Sequence, residues 1–182
     1  MRPRTRNPSK RLLIALALFA ILMFYLAEGT KQQKQAPYWD LKNRVANLDQ
    51  RAQDLIRQKI EDLGIPIDFE NDPNGTGLIG EQYTLITTDR GELRSKLIAT
   101  NPNFAAAMAE MFKECNLRRG DMIAVGITGS FPGANIALYS ACEVMGIEPI
   151  VITSLGASNW GANHPDFTWL DMEQTLYEAK LI

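Results

Sequence analysis

Two loops with matching sequences contain the residues of this chain that are best suited to binding a ligand. Segments 130–135 (SFPGAN) and 158–163 (SNWGAN) share serine, glycine, alanine and asparagine at equivalent positions. Hydroxyl and amide side chains can hydrogen-bond an anion, and glycine lets backbone N–H groups approach it closely. We therefore expect a carboxylate or another anion to bind here, although the same residues could simply form tight turns. The predicted ligand-binding residues are Thr128, Gly129, Ser130, Gly133, Asn135, Ser158, Asn159, Gly161 and Asn163.

Three residues are candidates for a catalytic role. Ser130 could act as a nucleophile, His164 is the only histidine and directly follows the second loop, and Asp171 lies nearby in sequence. They would form a Ser-His-Asp triad if the two loops face each other. Against this, Ser130 does not lie in a G-x-S-x-G motif, and a lone histidine before a proline is commonly a turn residue. The sequence therefore leaves open whether the protein is an enzyme.

No motif for a nucleotide, a metal ion or another cofactor is found in the sequence. Segment 126–133 (GITGSFPG) lacks both the Gly-Lys-Ser/Thr of a P-loop and the GxGxxG spacing. The two cysteines, Cys115 and Cys142, are far apart in sequence, and no histidine cluster accompanies them. We expect no cofactor and no metal site, and we expect both cysteines to be buried free thiols within helices.

An alternation of strand and helix patterns positions both loops. The apolar runs 122–127 (MIAVGI) and 149–152 (PIVI) are typical of strands, and residues 133–145 between them have a helical pattern. Strands in such a unit are normally parallel, so both loops leave the same edge of the sheet, where open α/β sheets bind ligands. The predicted fold class is α/β: an N-terminal transmembrane helix followed by a Rossmann-like domain with an at least partly parallel sheet.

The rest of the chain after the anchor is predicted to form one long helix and one domain. Apolar residues recur at helical spacing between Pro37 and Gly64, which predicts an amphipathic helix over 37–64. Residues 65–182 are the predicted extracytoplasmic α/β domain. Because convincing strands are few and the chain ends on an apolar pair, we expect further protein or a partner to complete this domain. Its other predicted elements are strands at 65–69 and 82–88, and helices at 92–100, from Pro102 onward and at 166–182.

The N-terminal segment has the charge pattern of a membrane anchor. Five basic residues and no acidic residue precede a long, mostly apolar run. A cleaved signal peptide needs small residues at its cleavage site, which 25–27 (YLA) largely lacks, and a buried core helix would not explain the cations. The positive-inside rule then keeps residues 1–11 in the cytoplasm as a basic tail, with 12–28 as the transmembrane anchor and 29–36 as a spacer.

The part of the chain that follows the anchor is acidic. All 21 acidic residues lie at or after Glu28, together with 14 of the 19 Lys and Arg residues, which gives residues 28–182 a formal charge of about −7. A domain that binds nucleic acid needs a basic face, so we expect no nucleic-acid partner. Such a surface repels a polyanion, so an anionic ligand must be held by local devices such as loop N–H groups.

Residues 120–173 resemble a known family. The distinctive parts are SFPG (130–133), GASNWGAN (156–163) and DFTWLDME (166–173). With the N-terminal anchor, they resemble the poly-gamma-glutamate system protein family, whose members are membrane-anchored and associated with bacterial capsule-polymer synthesis and export genes. The resemblance implies a role in making, handling or exporting poly-γ-glutamate, with other proteins of that system as partners. It supplies no catalytic residues.

The expected function is that of a membrane-anchored accessory component of poly-γ-glutamate synthesis or export. Its cleft would bind a carboxylate-bearing ligand, either the polymer or a precursor. Two alternatives stay open: a serine-type hydrolase or transferase that acts on the polymer, and a purely structural subunit of a membrane synthase complex. The expected location is the cell membrane, with a single span, a cytoplasmic N-terminus and an extracytoplasmic main domain.

Overall fold

Residues 9–31 and 35–182 are described in the computed structural model of this protein. The chain divides into two compact units between Pro37 and Tyr38. Most of the predicted basic tail and the middle of the predicted spacer lie outside the described residues.

The first unit contains one long helix, α1 (Lys10–Gly29). Ser9 begins it as the N-cap, because its hydroxyl accepts a hydrogen bond of 3.2 Å from the N–H of Leu12. At 1.5 Å per residue, a helix of 20 residues spans about 30 Å, which is the thickness of the hydrocarbon core of a bilayer. Helix α1 is therefore long and apolar enough to be a membrane span or signal anchor.

The second unit is a mixed α/β domain, and its described residues form three two-stranded sheets. A long helix opens the domain, short elements follow, and the longest strands lie in its second half. The elements in chain order are α2 (Trp39–Asp62), β1 (Thr87–Asp89), α3 (Leu93–Ala99), α4 (Pro102–Glu114), β2 (Met122–Thr128), α5 (Pro132–Met145), β3 (Glu148–Ser154), β4 (Ala157–Ser158), β5 (Asn163–His164), β6 (Phe167–Thr168) and α6 (Trp169–Glu178).

The strand–helix–strand unit β2–α5–β3 is the centre of the domain. Strands β2 and β3 are parallel, in a register that runs from Met122 opposite Glu148 to Thr128 opposite Ser154. Helix α5 begins with Pro132 in its first turn and ends at Gly146, whose φ of 66° is the left-handed conformation that glycine adopts readily. The prediction of parallel strands with loops leaving one edge is thus confirmed for this pair.

Helices α2, α4 and α5 pack against one another, and α2 contributes to both core clusters of the domain. On α2, residues at helical spacing are fully buried, among them Val45, Ala52 and Ile56. Alanines such as Ala105 of α4 and Ala141 of α5 are also fully buried, and their small side chains let the helices approach closely. The same buried face of α2 contains two polar residues, Asp49 and Gln53.

Three of the predictions for this domain are wrong. Residues 65–69 form no strand, and in segment 82–88 only the last two residues belong to a strand, the short β1, which pairs in parallel with β4. In the second segment, side chains of Thr84 and Thr87 bond each other and the backbone, and this local bonding replaces a strand ladder. The thiol of Cys142 is buried as expected, whereas Cys115 is exposed because it caps the end of α4.

One face of the β2–β3 sheet is exposed. Alternate residues of both strands point away from the helices, and three of them are large and apolar, with exposed fractions of 67% for Met122, 60% for Ile150 and 79% for Ile152. Parallel sheets are usually covered on both faces, so this apolar face is unusual for a parallel pair.

Candidate functional site

The two matching loops bind each other. The N–H of Gly129 donates to the carbonyl of Gly156 at 3.0 Å, and the N–H of Ala162 donates to the carbonyl of Gly129 at 2.7 Å. The hydroxyl oxygen of Ser130 accepts a hydrogen bond of 3.0 Å from the N–H of Ser158. The equivalent serines of the two loops are therefore direct neighbours, and the loops form one cluster.

Glycine is required where the loops approach most closely. A Cβ atom on Gly161 would lie 2.6 Å from the carbonyl oxygen of Gly129 and 3.0 Å from the Cα atom of Ser130. A Cβ atom on Gly133 would lie 2.8 Å from the carbonyl oxygen of Ala99, at the end of α3. Both glycines thus serve contacts within the protein, and their predicted contact with a ligand stays a prediction.

Two of the predicted ligand-binding asparagines brace the second loop against the segment before α3. Asn163 is completely buried; its amide nitrogen donates to the carbonyl of Glu81 at 2.8 Å, and its amide oxygen accepts from the N–H of Glu81 at 3.0 Å. Asn159 accepts from the N–H of Gly91 at 3.0 Å and donates to the carbonyl of Gln82. These amide groups already have partners, so they hold the loop in place.

The first loop is held by its own polar side chains. The amide nitrogen of Asn135 donates to the carbonyl of Thr128 at 2.7 Å, and the hydroxyl of Thr128 accepts from the N–H of Ser130 at 3.1 Å. Asn135 is buried, whereas Thr128 is exposed and Ser130 is half-buried. Of the first loop's predicted ligand-binding side chains, those of Thr128 and Ser130 are therefore the accessible ones.

A buried lysine lies at the centre of the loop cluster. Lys96 of α3 is 2% exposed, and its Nζ atom donates to the carbonyl of Ser130 and, at 2.9 Å, to the hydroxyl oxygen of Ser158. Its Nζ atom also lies 4.6 Å from the centre of the Phe131 ring, a cation–π distance. Within the described part of the chain, none of the ion pairs involves Lys96. Its burial lowers the pKa of Lys96 to about 8.

The N-terminus of α5 adds a second positive feature at the same place. Its N-cap residue, Phe131, forms no side-chain hydrogen bond to the helix. The N–H groups in the first turn of a helix have no acceptor within the helix, and the helix dipole gives them a partial positive charge. The first turn of α5, which contains Gly133 and Ala134, has no side-chain cap and comes directly after the loop that contacts Lys96.

The structure does not assemble the Ser-His-Asp triad. The Nδ1 atom of His164 accepts a hydrogen bond of 3.2 Å from the N–H of Asp166. The carboxylate of Asp171 accepts from the N–H and the hydroxyl of Thr168, at 2.7 and 2.6 Å, and so caps α6. In the described residues, no hydrogen bond joins His164 or Asp171 to Ser130, because both have local partners.

His164 instead borders an apolar cavity of about 160 Å³ that is separate from Lys96. Its walls are mostly aliphatic and aromatic, and acidic side chains occur only at Asp68 and Glu81. The cavity has too few polar groups to hold a polyanion. The principal apolar residues that line it are Ile60, Ile65, Ile67, Ile79, Phe167 and Met172.

Sequence reasoning missed Lys96. The only signal for its burial in the sequence is weak, and it is the helical spacing between Lys96 and the small residues that follow it. In α3, Lys96 is buried at 2% exposure, whereas Ile98 is 57% exposed. Lys96 shares the buried face with Ala99 and Thr100, three and four residues later, which is the spacing of one helix face.

This chain matches no protein-family model, no curated protein and no solved structure.

Proposed function

We propose that this protein is a membrane-anchored accessory component of poly-γ-glutamate synthesis or export, and that it binds a carboxylate-bearing polymer or precursor at the Lys96 loop cluster. The single observation that supports this most is the buried ammonium group of Lys96, whose contacts are all neutral. A buried cation without an anionic partner is costly, so a carboxylate ligand would gain a strong, charge-assisted contact there.

The overall charge of the domain makes this local cation important. Residues 28–182 have a formal charge of about −7, so a polyanion is repelled by most of the domain's surface. A ligand carboxylate would contact the hydroxyl of Ser130 and the first-turn N–H groups of α5, in the field of Lys96. Because Phe131 is 38% exposed, its ring would form the rim of the site.

The remaining parts of the proposal concern topology and partners. Helix α1 would be a single membrane span with the basic N-terminus in the cytoplasm and the α/β domain outside, in contact with other poly-γ-glutamate proteins. The unit β2–α5–β3 would belong to a Rossmann-like sheet. The parallel pairing of β2 and β3 supports such a fold. The two loops lie at the carboxyl edge of these strands, which is where Rossmann-like sheets bind ligands.

Calorimetric titration of oligo-γ-glutamate into the full chain in detergent tests the binding site. Lys96→Met and Ser130→Ala should each weaken binding about ten- to a hundredfold, since a charge-assisted hydrogen bond contributes about 1.5–3 kcal/mol. Lys59→Met, which removes an exposed lysine of α2, is the control for loss of one positive charge. Equal affinities of wild type, Lys96→Met and Lys59→Met, each checked for folding, would refute the site.

The exposed apolar face of β2 and β3 favours a second candidate function, that of a structural subunit. Met122, Ile150 and Ile152 would dock onto a membrane synthase. Co-purification of such a partner should then survive Lys96→Met but be lost when Ile150 and Ile152 are both replaced by threonine. Loss of the partner with Lys96→Met instead would favour the ligand-binding function.

A further inference from the structure

We propose that Ser158 and Lys96 form a serine–lysine catalytic pair for cleavage or transfer of an acyl group, with Ser158 as the nucleophile and Lys96 as its base. The substrate class is a carboxylic amide, and the inference depends on the proposed function only for naming a γ-glutamyl amide as that substrate. The Nζ atom of Lys96 lies 2.9 Å from the hydroxyl oxygen of Ser158, within the range required of a nucleophile and its base.

The surroundings of Lys96 allow its ammonium group to lose its proton and act as a base. A lysine whose charge is desolvated and not paired with a carboxylate loses its proton more readily than one in water. Its burial lowers the pKa of Lys96 to about 8, and no charged group contributes to this shift. Loops 128–135 and 156–163 contain no titratable residue, and the charged residues that precede Lys96 in sequence, Arg90, Glu92 and Arg94, are exposed.

Ser130 is placed to assist the reaction as an oxyanion donor. Its hydroxyl oxygen accepts the N–H of Ser158 at 3.0 Å, which leaves its own proton free to donate to a developing oxyanion. Ser158 is 7% exposed, whereas Ser130 is half-buried and Phe131 is exposed. The nucleophile therefore lies just below the surface, beside two residues that a substrate can contact.

The reaction balances without an oxidant or a cofactor. Neutral Lys96 takes the proton of the Ser158 hydroxyl while the oxygen attacks the amide carbonyl carbon. The C–N bond then breaks, the leaving amine takes the proton from Lys96, and the acyl group remains on Ser158. In hydrolysis, water gives a proton to Lys96 and attacks the acyl carbon, and Ser158 regains its proton as the carboxylic acid leaves. An amine in place of water would give transfer.

Labelling of the full chain in detergent with a fluorophosphonate probe, followed by mass spectrometry of the labelled peptide, tests this pair. We expect the label on Ser158, equally in wild type and in the control Ser154→Ala, which removes another serine at the same sheet edge. Labelling should vanish in Ser158→Ala and fall roughly 100-fold or more in Lys96→Met, since general-base catalysis contributes that much. A label on any other serine, or none on folded wild type, would overturn the proposal.

Two further measurements separate this inference from the proposed function. The labelling rate should rise about tenfold per pH unit below a pH of about 8 and then level off, because the neutral form of Lys96 is required. A labelling rate without this rise would overturn the pair. Lys96→Arg keeps a positive charge but cannot act as the base, so it should lose labelling. Wild type that is labelled on Ser158 but does not bind oligo-γ-glutamate would refute the proposed function alone, whereas Lys96→Arg labelled like wild type would refute the pair alone.

Discussion

Replacing Asp49 by asparagine should stabilise the α/β domain above neutral pH but not in acid. Asp49 lies on the buried face of α2 with no exposed area. One carboxylate oxygen accepts a hydrogen bond of 2.6 Å from the Gln53 amide, and the other has no partner. Burial raises the pKa of Asp49 from 3.8 to about 7, with the Gln53 hydrogen bond opposing that rise.

The size of the effect follows from this pKa difference. Because the folded chain holds the proton more tightly, the stability that Asp49 contributes is fully present below pH 3.8 and is lost as the pH rises through about 7. A rise from 3.8 to about 7 corresponds to a loss of about 4 kcal/mol at about 1.4 kcal/mol per pH unit. Asparagine avoids this loss but introduces an extra buried donor at a cost of about 1–3 kcal/mol. We therefore expect a net gain of about 1–3 kcal/mol at pH 8 and a net loss of about 1–3 kcal/mol at pH 4, where mainly the cost of the extra donor remains.

Denaturant unfolding of the full chain in detergent, followed by tryptophan fluorescence at pH 4, 6 and 8, measures this effect. Asp54→Asn is a matched control, because Asp54 is on the same helix and accepts a hydrogen bond of 2.8 Å from the Gln50 amide but is exposed. The control should change stability by less than about 0.5 kcal/mol at every pH. If Asp49→Asn shifts the free energy of unfolding equally at all three pH values, the buried carboxylate is not the cause.

Three further predictions concern topology and the loop cluster. An export-dependent reporter enzyme fused after Ile182 should be active, and activity of a cytoplasm-dependent reporter there would refute the orientation. Gly133→Ala should destabilise the domain by about 1–3 kcal/mol, because the new Cβ would lie 2.8 Å from the Ala99 carbonyl oxygen. The control Gly126→Ala should be neutral, because there is open space around Gly126. Equal denaturant midpoints for the two variants would contradict this. Asn163→Ala should cost about 2–4 kcal/mol, because it removes the hydrogen bonds of a buried amide to the backbone of Glu81 and to the hydroxyl of Thr87. A loss no larger than that of exposed Asn103→Ala would contradict this.

The strand–helix–strand unit was predictable because each part of it has one consistent local pattern. The apolar runs of β2 and β3 are short and bounded by turn residues, and α5 has proline in its first turn and Gly146 at its end. The strands predicted at 65–69 and 82–88 failed because such short segments depend on which neighbour pairs with them. Only the part that meets β4 became a strand.

The position of Lys96 could not be predicted because it depends on tertiary packing. The segment of α3 has both helix and strand signals, and side-chain hydrophobicity favours Ile98 over Lys96 as the buried residue, which is the reverse of what is found. What buries Lys96 is the pair of loops that lie 34 and 62 residues later in the chain. The sequence contains both loops, but local patterns contain no information about which helix packs against them.

The contacts between the loops give a physical reason for their matching sequences. Glycine, serine and asparagine serve mainly to join the loops to each other and to the preceding segment, as the hydrogen bond from Ser158 to Ser130 illustrates. The matching residues therefore determine the shape of the cluster. Its chemistry depends on charged groups that no opposite charge in the fold neutralises. Within the described residues of the cluster, Lys96 is such a group, and it contacts both matching serines. Both proposals for this edge of the sheet act through Lys96, and variants of the buried asparagines should alter stability before they alter affinity.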